Sequence, residues 1–205
     1  MLDLGIIVTV FALAFVAELP DKSAVAGLVL GTRFPWPWVF TGVAAAFLTH
    51  VVIAVSAGQL LSLLPGRLVE GVVALLFVFG AWLIWREGAH HDEVEAEGEA
   101  ESADAVSGRF DGAGFLKVAS LGYGVIFVAE WGDLTQILTA NLAAKYHDPL
   151  SVGIGATLGL WLVALLAILG GKTLLKFMPI VWITRVAAVV MVVLGVLSAV
   201  SAVRG

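Results

Sequence analysis

The 205-residue sequence contains no cysteine and little charge. Without thiols the chain can form neither disulfides nor thiolate metal sites, and its redox compartment cannot be inferred. Only 13% of the residues are charged, 60% are hydrophobic, and the mean hydropathy is +1.04. This composition excludes an ordinary soluble domain and indicates an integral membrane protein. The sequence also lacks a basic patch for nucleic acid and a glycine-rich phosphate loop.

Six apolar segments are long enough to cross a bilayer as helices, which takes roughly 20 residues each. They cover residues 4–31, 38–62, 68–85, 115–142, 150–170 and 181–203. The predicted fold class is therefore an all-α integral membrane protein with six transmembrane helices. Half of the 16 acidic residues lie between Glu87 and Asp104. Because that stretch has few large apolar residues, it predicts a disordered acidic linker over residues 87–112.

An internal repeat divides the chain into two halves. "FVAELPDKS" from residue 15 aligns with "FVAEWGDLT" from residue 127, an offset of 112, and Gly58 falls opposite Gly170. Residues 1–86 and 113–205 are therefore predicted to be two three-helix repeats. Since three is odd, the second repeat enters the membrane from the opposite side, and the repeats are inverted as in many secondary transporters.

Each repeat places two carboxylates inside an apolar segment: Glu18 and Asp21, then Glu130 and Asp133. The i, i+3 spacing predicts that each pair shares one face of a helix. A charge at membrane depth costs about 2.5 kcal/mol or more, so such groups normally face a cavity or a partner. Grouped carboxylates favour hard cations such as calcium, magnesium or manganese, and they take up protons when no cation is bound. The alternative is a simple i, i+4 pair of Glu18 with Lys22 near water.

The motifs "ELPDKS" and "EWGDLTQ" resemble the duplicated Glu-x-Gly-Asp-(Lys/Arg)-(Ser/Thr) signature of the GDT family of membrane cation exchangers. This resemblance implies exchange of manganese or calcium for protons, with the four carboxylates as metal ligands and no cofactor. Ser23, Thr135 and Gln136 would be neutral oxygen donors nearby. Pro20 stands where the signature has glycine, and Leu134 replaces its basic residue. The second departure makes the site more negative and leaves the choice of ion open.

Two other functions remain at this point. A small exporter of the lysine-exporter type also uses six helices but does not need four intramembrane acids. An intramembrane enzyme could use paired carboxylates as aspartyl proteases do, but it needs only one pair. We expect no enzyme activity, and we expect a divalent metal ion, protons and the lipid bilayer as partners, without nucleic acid. The sequence does not predict the oligomeric state.

Outside the motifs, His50 is interpreted as either a proton relay or a packing residue, and Asn141 as lining the pathway or bonding between helices.

Orientation follows from the positive-inside rule. The side that contains Arg33 and the acidic linker holds seven basic residues, and the other side holds three. The linker is therefore predicted to be cytoplasmic and both termini extracytoplasmic, in a bacterial inner membrane.

Overall fold

The computed structural model describes residues 2–18, 22–63, 101–110 and 112–177, together with isolated positions elsewhere. This part of the chain is helical and contains no strand. The six main helices are α1 (Leu4–Glu18), α2 (Lys22–Arg33), α3 (Trp36–Leu61), α4 (Phe115–Ala129), α5 (Leu134–Tyr146) and α6 (Pro149–Phe177). A further helical turn spans residues 101–107 and continues as a 3-10 turn over Gly108–Phe110.

Two of the described helices are long and apolar enough to cross a membrane. They are Trp36–Leu61, with 26 residues, and Pro149–Gly170, with 22 residues. Proline lies in the first turn of each, where its missing N–H leaves no intrahelical bond unmade. The predicted segments 68–85 and 181–203 lie outside the described residues. The structure therefore describes only part of the six predicted transmembrane helices, and the number six remains a prediction.

The fourth predicted segment is not a single helix. Segment 115–142 contains α4 and α5, separated at the second acidic motif, and segment 4–31 contains α1 and α2, with residues 19–21 between them outside the described part of the chain. The prediction of one continuous helix across the second motif is wrong, because Glu130 to Asp133 form a turn. The second motif thus lies at the junction of two shorter helices.

Helices α3 and α4 run side by side in the same direction. A Cβ atom on Gly42 would lie 1.9 Å from the carbonyl oxygen of Ala119, so glycine lets the two backbones touch. Eight residues further along each helix, the His50 ring nitrogen Nε2 lies 3.2 Å from the Phe127 carbonyl oxygen. These two contacts establish that the helices are parallel.

Helices α6 and α1 pack in the equivalent way. A Cβ atom on Gly155 would lie 2.5 Å from the Ile7 carbonyl oxygen, and one on Gly159 would lie 2.9 Å from that of Phe11. Ile7 and Ala119 are related by the repeat offset of 112. The same glycine-to-carbonyl contact therefore occurs once in each half of the chain.

The two halves run in opposite directions. Trp161 Nε1 donates to the Ala44 carbonyl oxygen at 3.0 Å. Further along α3, Val51 packs against Gly153, so residue numbers rise on α3 as they fall on α6. Since α4 is parallel to α3 and α1 is parallel to α6, α1 and α4 are antiparallel. This relation is the one that inverted repeats require, and it holds for the described helices of each half.

The end of the acidic linker is ordered against the bundle. Ala103 and Ser107 are buried on one face of the helical turn 101–107, and Arg33 Nη2 lies 2.6 Å from Asp104 Oδ1. Phe110 packs against the hydrophobic core. The prediction of disorder is wrong for residues 101–110, because small residues four apart and one aromatic ring give this stretch a face that packs. Residues 87–97 lie outside the described part of the chain.

Candidate functional site

The second acidic motif is an interruption between two helices. Glu130 is the C-cap of α4, and Asp133 is the N-cap of α5. Gly132 between them has a φ of 83°, a left-handed conformation that glycine adopts without steric cost. The carbonyl end of one helix and the N–H end of the next therefore meet at the motif, as in the discontinuous helices of many transporters.

Asp133 fixes the start of α5 through its side chain. Its Oδ2 atom accepts a hydrogen bond from the Thr135 backbone N–H at 3.0 Å and one from the Thr135 hydroxyl at 3.1 Å. Such a cap satisfies one of the N–H groups that the first helical turn leaves unpaired. The other carboxylate oxygen, Oδ1, takes no part in the cap.

Three of the four predicted carboxylates come together. Glu18, Glu130 and Asp133 each offer one oxygen, and the three oxygens lie within 4.8 Å of one another. Glu18 and Glu130 are the last residue of α1 and the residue after α4, and both are buried. They are equivalent positions of the repeat, so the two antiparallel helices bring the same residue type to one place from opposite directions.

This spacing suits a cation that binds oxygen. Three atoms no more than 4.8 Å apart share a point within about 2.8 Å of each, close to the 2.3–2.6 Å of calcium–oxygen bonds. Two ionised carboxylates at this distance repel by roughly 3.5 kcal/mol at an effective dielectric constant of about 20. The cluster can therefore hold a divalent cation or protons far more easily than it can hold three uncompensated charges.

The other predicted site residues are placed as follows. Thr135 is buried, and its hydroxyl donates to Asp133. Gln136 lies against the turn, where its Nε2 donates to the Glu130 carbonyl oxygen at 2.8 Å and its Oε1 accepts from the Gly132 N–H at 3.3 Å. Asp21 and the side chain of Ser23 lie outside the described residues.

A small cavity with both polar and apolar walls adjoins Glu130. Its volume is ≈ 10 Å³, about enough for one water molecule. Its walls come from α3, α5, α6 and the motif: Phe47, His50, Val51, Ala54, Glu130, Thr135, Gln136, Thr139 and Leu160. Sequence reasoning missed Thr139 and the conformational role of Gly132. Thr139 could have been found, because it follows Thr135 by four residues and so shares its helix face.

His50 and Asn141 differ in their surroundings. His50 is buried beside the motif, and its ring stacks on Phe127 at a centroid distance of 4.8 Å. Asn141 is fully buried on α5, and its amide has no hydrogen-bond partner among the described residues. His50 therefore adjoins the carboxylate cluster, whereas Asn141 is two helical turns past the start of α5.

The sequence matches the family described as "Divalent cation/proton antiporter GDT1" over residues 6–92 and 118–205. The chain belongs to this GDT1 family. It is 36% identical over 170 residues to "GDT1-like protein sll0615" of Synechocystis sp., covering 77% of this chain and 78% of that protein. It is 28% identical to "GDT1-like protein 5" of Arabidopsis thaliana, covering 80% of this chain and 81% of that protein.

A third relative is "Protein PAM71, chloroplastic" of Arabidopsis thaliana, 32% identical over 197 residues and matched over 86% of this chain and 52% of its own length. No solved structure matches the chain. GDT1 proteins are membrane transporters, so the family membership sets aside the intramembrane enzyme and the lysine-exporter type. The family exchanges a divalent cation for protons and has no enzymatic cofactor, as the motifs predict.

Proposed function

We propose that this GDT1 protein exchanges manganese or calcium for protons through one site near the middle of the membrane. The carboxylates of Glu18, Asp21, Glu130 and Asp133 would bind the ion, with Ser23, Thr135 and Gln136 as neutral neighbours. The observation that carries this proposal is the meeting of three carboxylate oxygens within 4.8 Å at the junction of interrupted, antiparallel helices.

The donor atoms favour a hard cation. Carboxylate and hydroxyl oxygens are the ligands that calcium and manganese prefer, and the chain has no thiol to select a softer metal. Leu134 leaves the second motif without the basic residue of the family signature. The transported ion and protons then compete to balance the charge of the cluster, and this competition couples the two fluxes.

Alternating access follows from the inverted arrangement. The two halves make equivalent helix contacts in opposite directions, so a movement that opens one half toward one side has a counterpart that opens the other half toward the other side. A cluster built from one glutamate of each half can then face either side in turn. The proposal extends this relation to six helices in two inverted three-helix repeats.

The orientation belongs to the same proposal. Arg33, the linker turn and the start of α4 lie at one end of the bundle, because Arg33 pairs with Asp104 and α4 follows the linker. The backbone N–H of Asp3 donates to the Ser151 hydroxyl at the other end. With more basic residues at the first end, that end is cytoplasmic in a bacterial inner membrane and the termini are extracytoplasmic.

The test is transport by purified protein in liposomes. A pH gradient should drive uptake of manganese or calcium, and Glu130→Gln should abolish it, because the amide keeps the size but cannot bear the charge or carry the proton. Glu101→Gln, at an exposed position of the linker turn, is the matched control and should transport normally. Equal transport by the two variants would exclude the carboxylate site, and absence of any uptake by the unmodified protein would exclude manganese and calcium as substrates.

A further inference from the structure

The Gln136 side chain bridges the interruption between α4 and α5. Its Nε2 donates to the Glu130 carbonyl oxygen and its Oε1 accepts from the Gly132 N–H, so one amide bonds both sides of the turn. The same Nε2 atom also contacts the ring nitrogen Nδ1 of His50 on α3. Both polar atoms of this amide are therefore already engaged by protein groups.

His50 completes the connection to α4. Its Nε2 faces the Phe127 carbonyl oxygen, which requires Nε2 to carry the proton and leaves Nδ1 as an acceptor for the Gln136 amide. The Phe127 carbonyl belongs to the last turn of α4, where the Trp131 N–H bonds to Val128 instead. His50 thus supplies a donor that the helix end itself does not provide.

This pair joins the two halves of the chain, because His50 lies in the first half and Gln136 in the second. At the offset of 112 the counterpart of Gln136 is Ala24, and at the offset of 113 that relates Gly42 to Gly155 the counterpart of His50 is Val163. Neither alanine nor valine has a polar side-chain atom. The two counterpart positions therefore cannot form a second pair of this kind.

We propose that His50 and Gln136 form a latch, in which Gln136 acts as a positioning residue and not as a metal ligand. The latch ties the last turn of α4, the Glu130–Gly132 turn and the first turn of α5 to α3. By fixing the backbone on both sides of the interruption, it sets the distance between the Glu130 and Asp133 carboxylates. The inference rests on the proposed function only for its effect on the transported ion.

A double-mutant cycle tests the latch. His50→Phe keeps a ring that can stack on Phe127 but removes both hydrogen bonds, and Gln136→Met keeps the length of the side chain without its amide. Each single variant should raise the KM for manganese roughly tenfold, because each leaves buried polar groups unpaired and displaces the carboxylates. The double variant should raise the KM by less than the product of the two single effects, because the two residues share one contact.

A ligand role for Gln136 gives different results. If Gln136 bound the ion through its own oxygen, the increases in KM caused by Gln136→Met and His50→Phe would multiply in the double variant. Gln136→Glu would then keep or lower the KM, because the carboxylate is a stronger oxygen ligand. The latch predicts that Gln136→Glu raises the KM, because the carboxylate cannot donate to the Glu130 carbonyl. Multiplied losses, or an unchanged KM in Gln136→Glu, would overturn the inference.

Thermal unfolding of the same four proteins gives a readout that does not need transport. The latch predicts that each single variant lowers the unfolding midpoint and that the double variant lowers it by less than the sum of the two single losses. Additive losses would contradict the latch even if the unmodified protein exchanged no cation, so the two proposals can fail separately. If His50→Phe does not fold, His50→Asn takes its place in the cycle, since it also loses the donor to Phe127.

Discussion

Replacing Gly42 by alanine tests the closest glycine-to-backbone contact among the described residues. The added Cβ would lie 1.9 Å from the Ala119 carbonyl oxygen, and contacts under 3.0 Å force something to move. Because the obstacle is backbone, α3 and α4 must separate by about 1 Å, and overpacking of this kind costs about 1–3 kcal/mol or more. Alanine recovers at most about 1 kcal/mol through helix propensity. We therefore expect a net loss of stability.

The assay is the thermal unfolding midpoint of the purified protein in detergent, where a loss of about 2 kcal/mol corresponds to roughly 4–8 °C for a chain of this size. Gly124→Ala is the matched control, because a Cβ there meets nothing within 4 Å. Gly155→Ala should fall between the two, since its Cβ would lie 2.5 Å from the Ile7 carbonyl oxygen. If Gly42→Ala unfolded at the same temperature as Gly124→Ala, the close approach of α3 and α4 would be refuted.

Three further predictions concern the site, the orientation and the end of the bundle that contains Asp148. Asp133→Asn should keep the α5 cap but lose cation exchange. Asp133→Ala should lose exchange and also about 1 kcal/mol of stability, because the cap is lost. Normal exchange by Asp133→Asn would contradict the carboxylate site. In intact cells, a cysteine introduced at Ser102 should not react with a membrane-impermeant thiol reagent, and a cysteine added after Gly205 should react. The reverse labelling pattern would show that the orientation is the opposite one. Hydrogen bonds from Ser151 hold the pKa of the Asp148 carboxyl below its usual value. Their contribution to stability is therefore fully present at a pH above the usual pKa, and it is lost as the pH falls through the lowered pKa of the folded protein. Ser151→Ala should therefore lose less stability on acidification, measured as the unfolding midpoint against pH.

The repeat and its acids could be predicted because they depend on residue identity alone. Two copies of one hexapeptide at an offset of 112 indicate equivalent positions, and membrane burial makes each carboxylate costly without a role. The structure places one carboxylate oxygen of each of Glu18, Glu130 and Asp133 within 4.8 Å of the others. Metal binding by the four carboxylates remains a prediction, and the transport assay tests it.

The local geometry of the second motif could not be predicted from spacing. An i, i+3 pair shares a helix face only if the helix continues, and hydropathy does not distinguish a continuous apolar helix from two short ones. Gly132 is the local signal for the interruption, since its positive φ ends one helix and lets Asp133 cap the next. The packed end of the linker was missed for a related reason, because composition averages over the few residues, Ala103 and Ser107, that form its buried face.

Helices α1 and α4, at equivalent positions of the repeat, are similar in packing, and this similarity bears on the proposed transport cycle. Phe11 stacks on Phe15 at 6.0 Å, and the equivalent Tyr123 stacks on Phe127 at 5.4 Å, so the helices that lead to each motif are built alike. Under the proposed alternating access, like packing in the two halves would give the inward-facing and outward-facing states similar free energies, which an exchanger needs in order to interconvert. The proposed latch joins His50 of the first half to Gln136 of the second, and its hydrogen bonds would stabilise the state that holds α5 against α3. Removing the latch should therefore shift the balance toward the state in which the Glu130–Asp133 turn separates from α3.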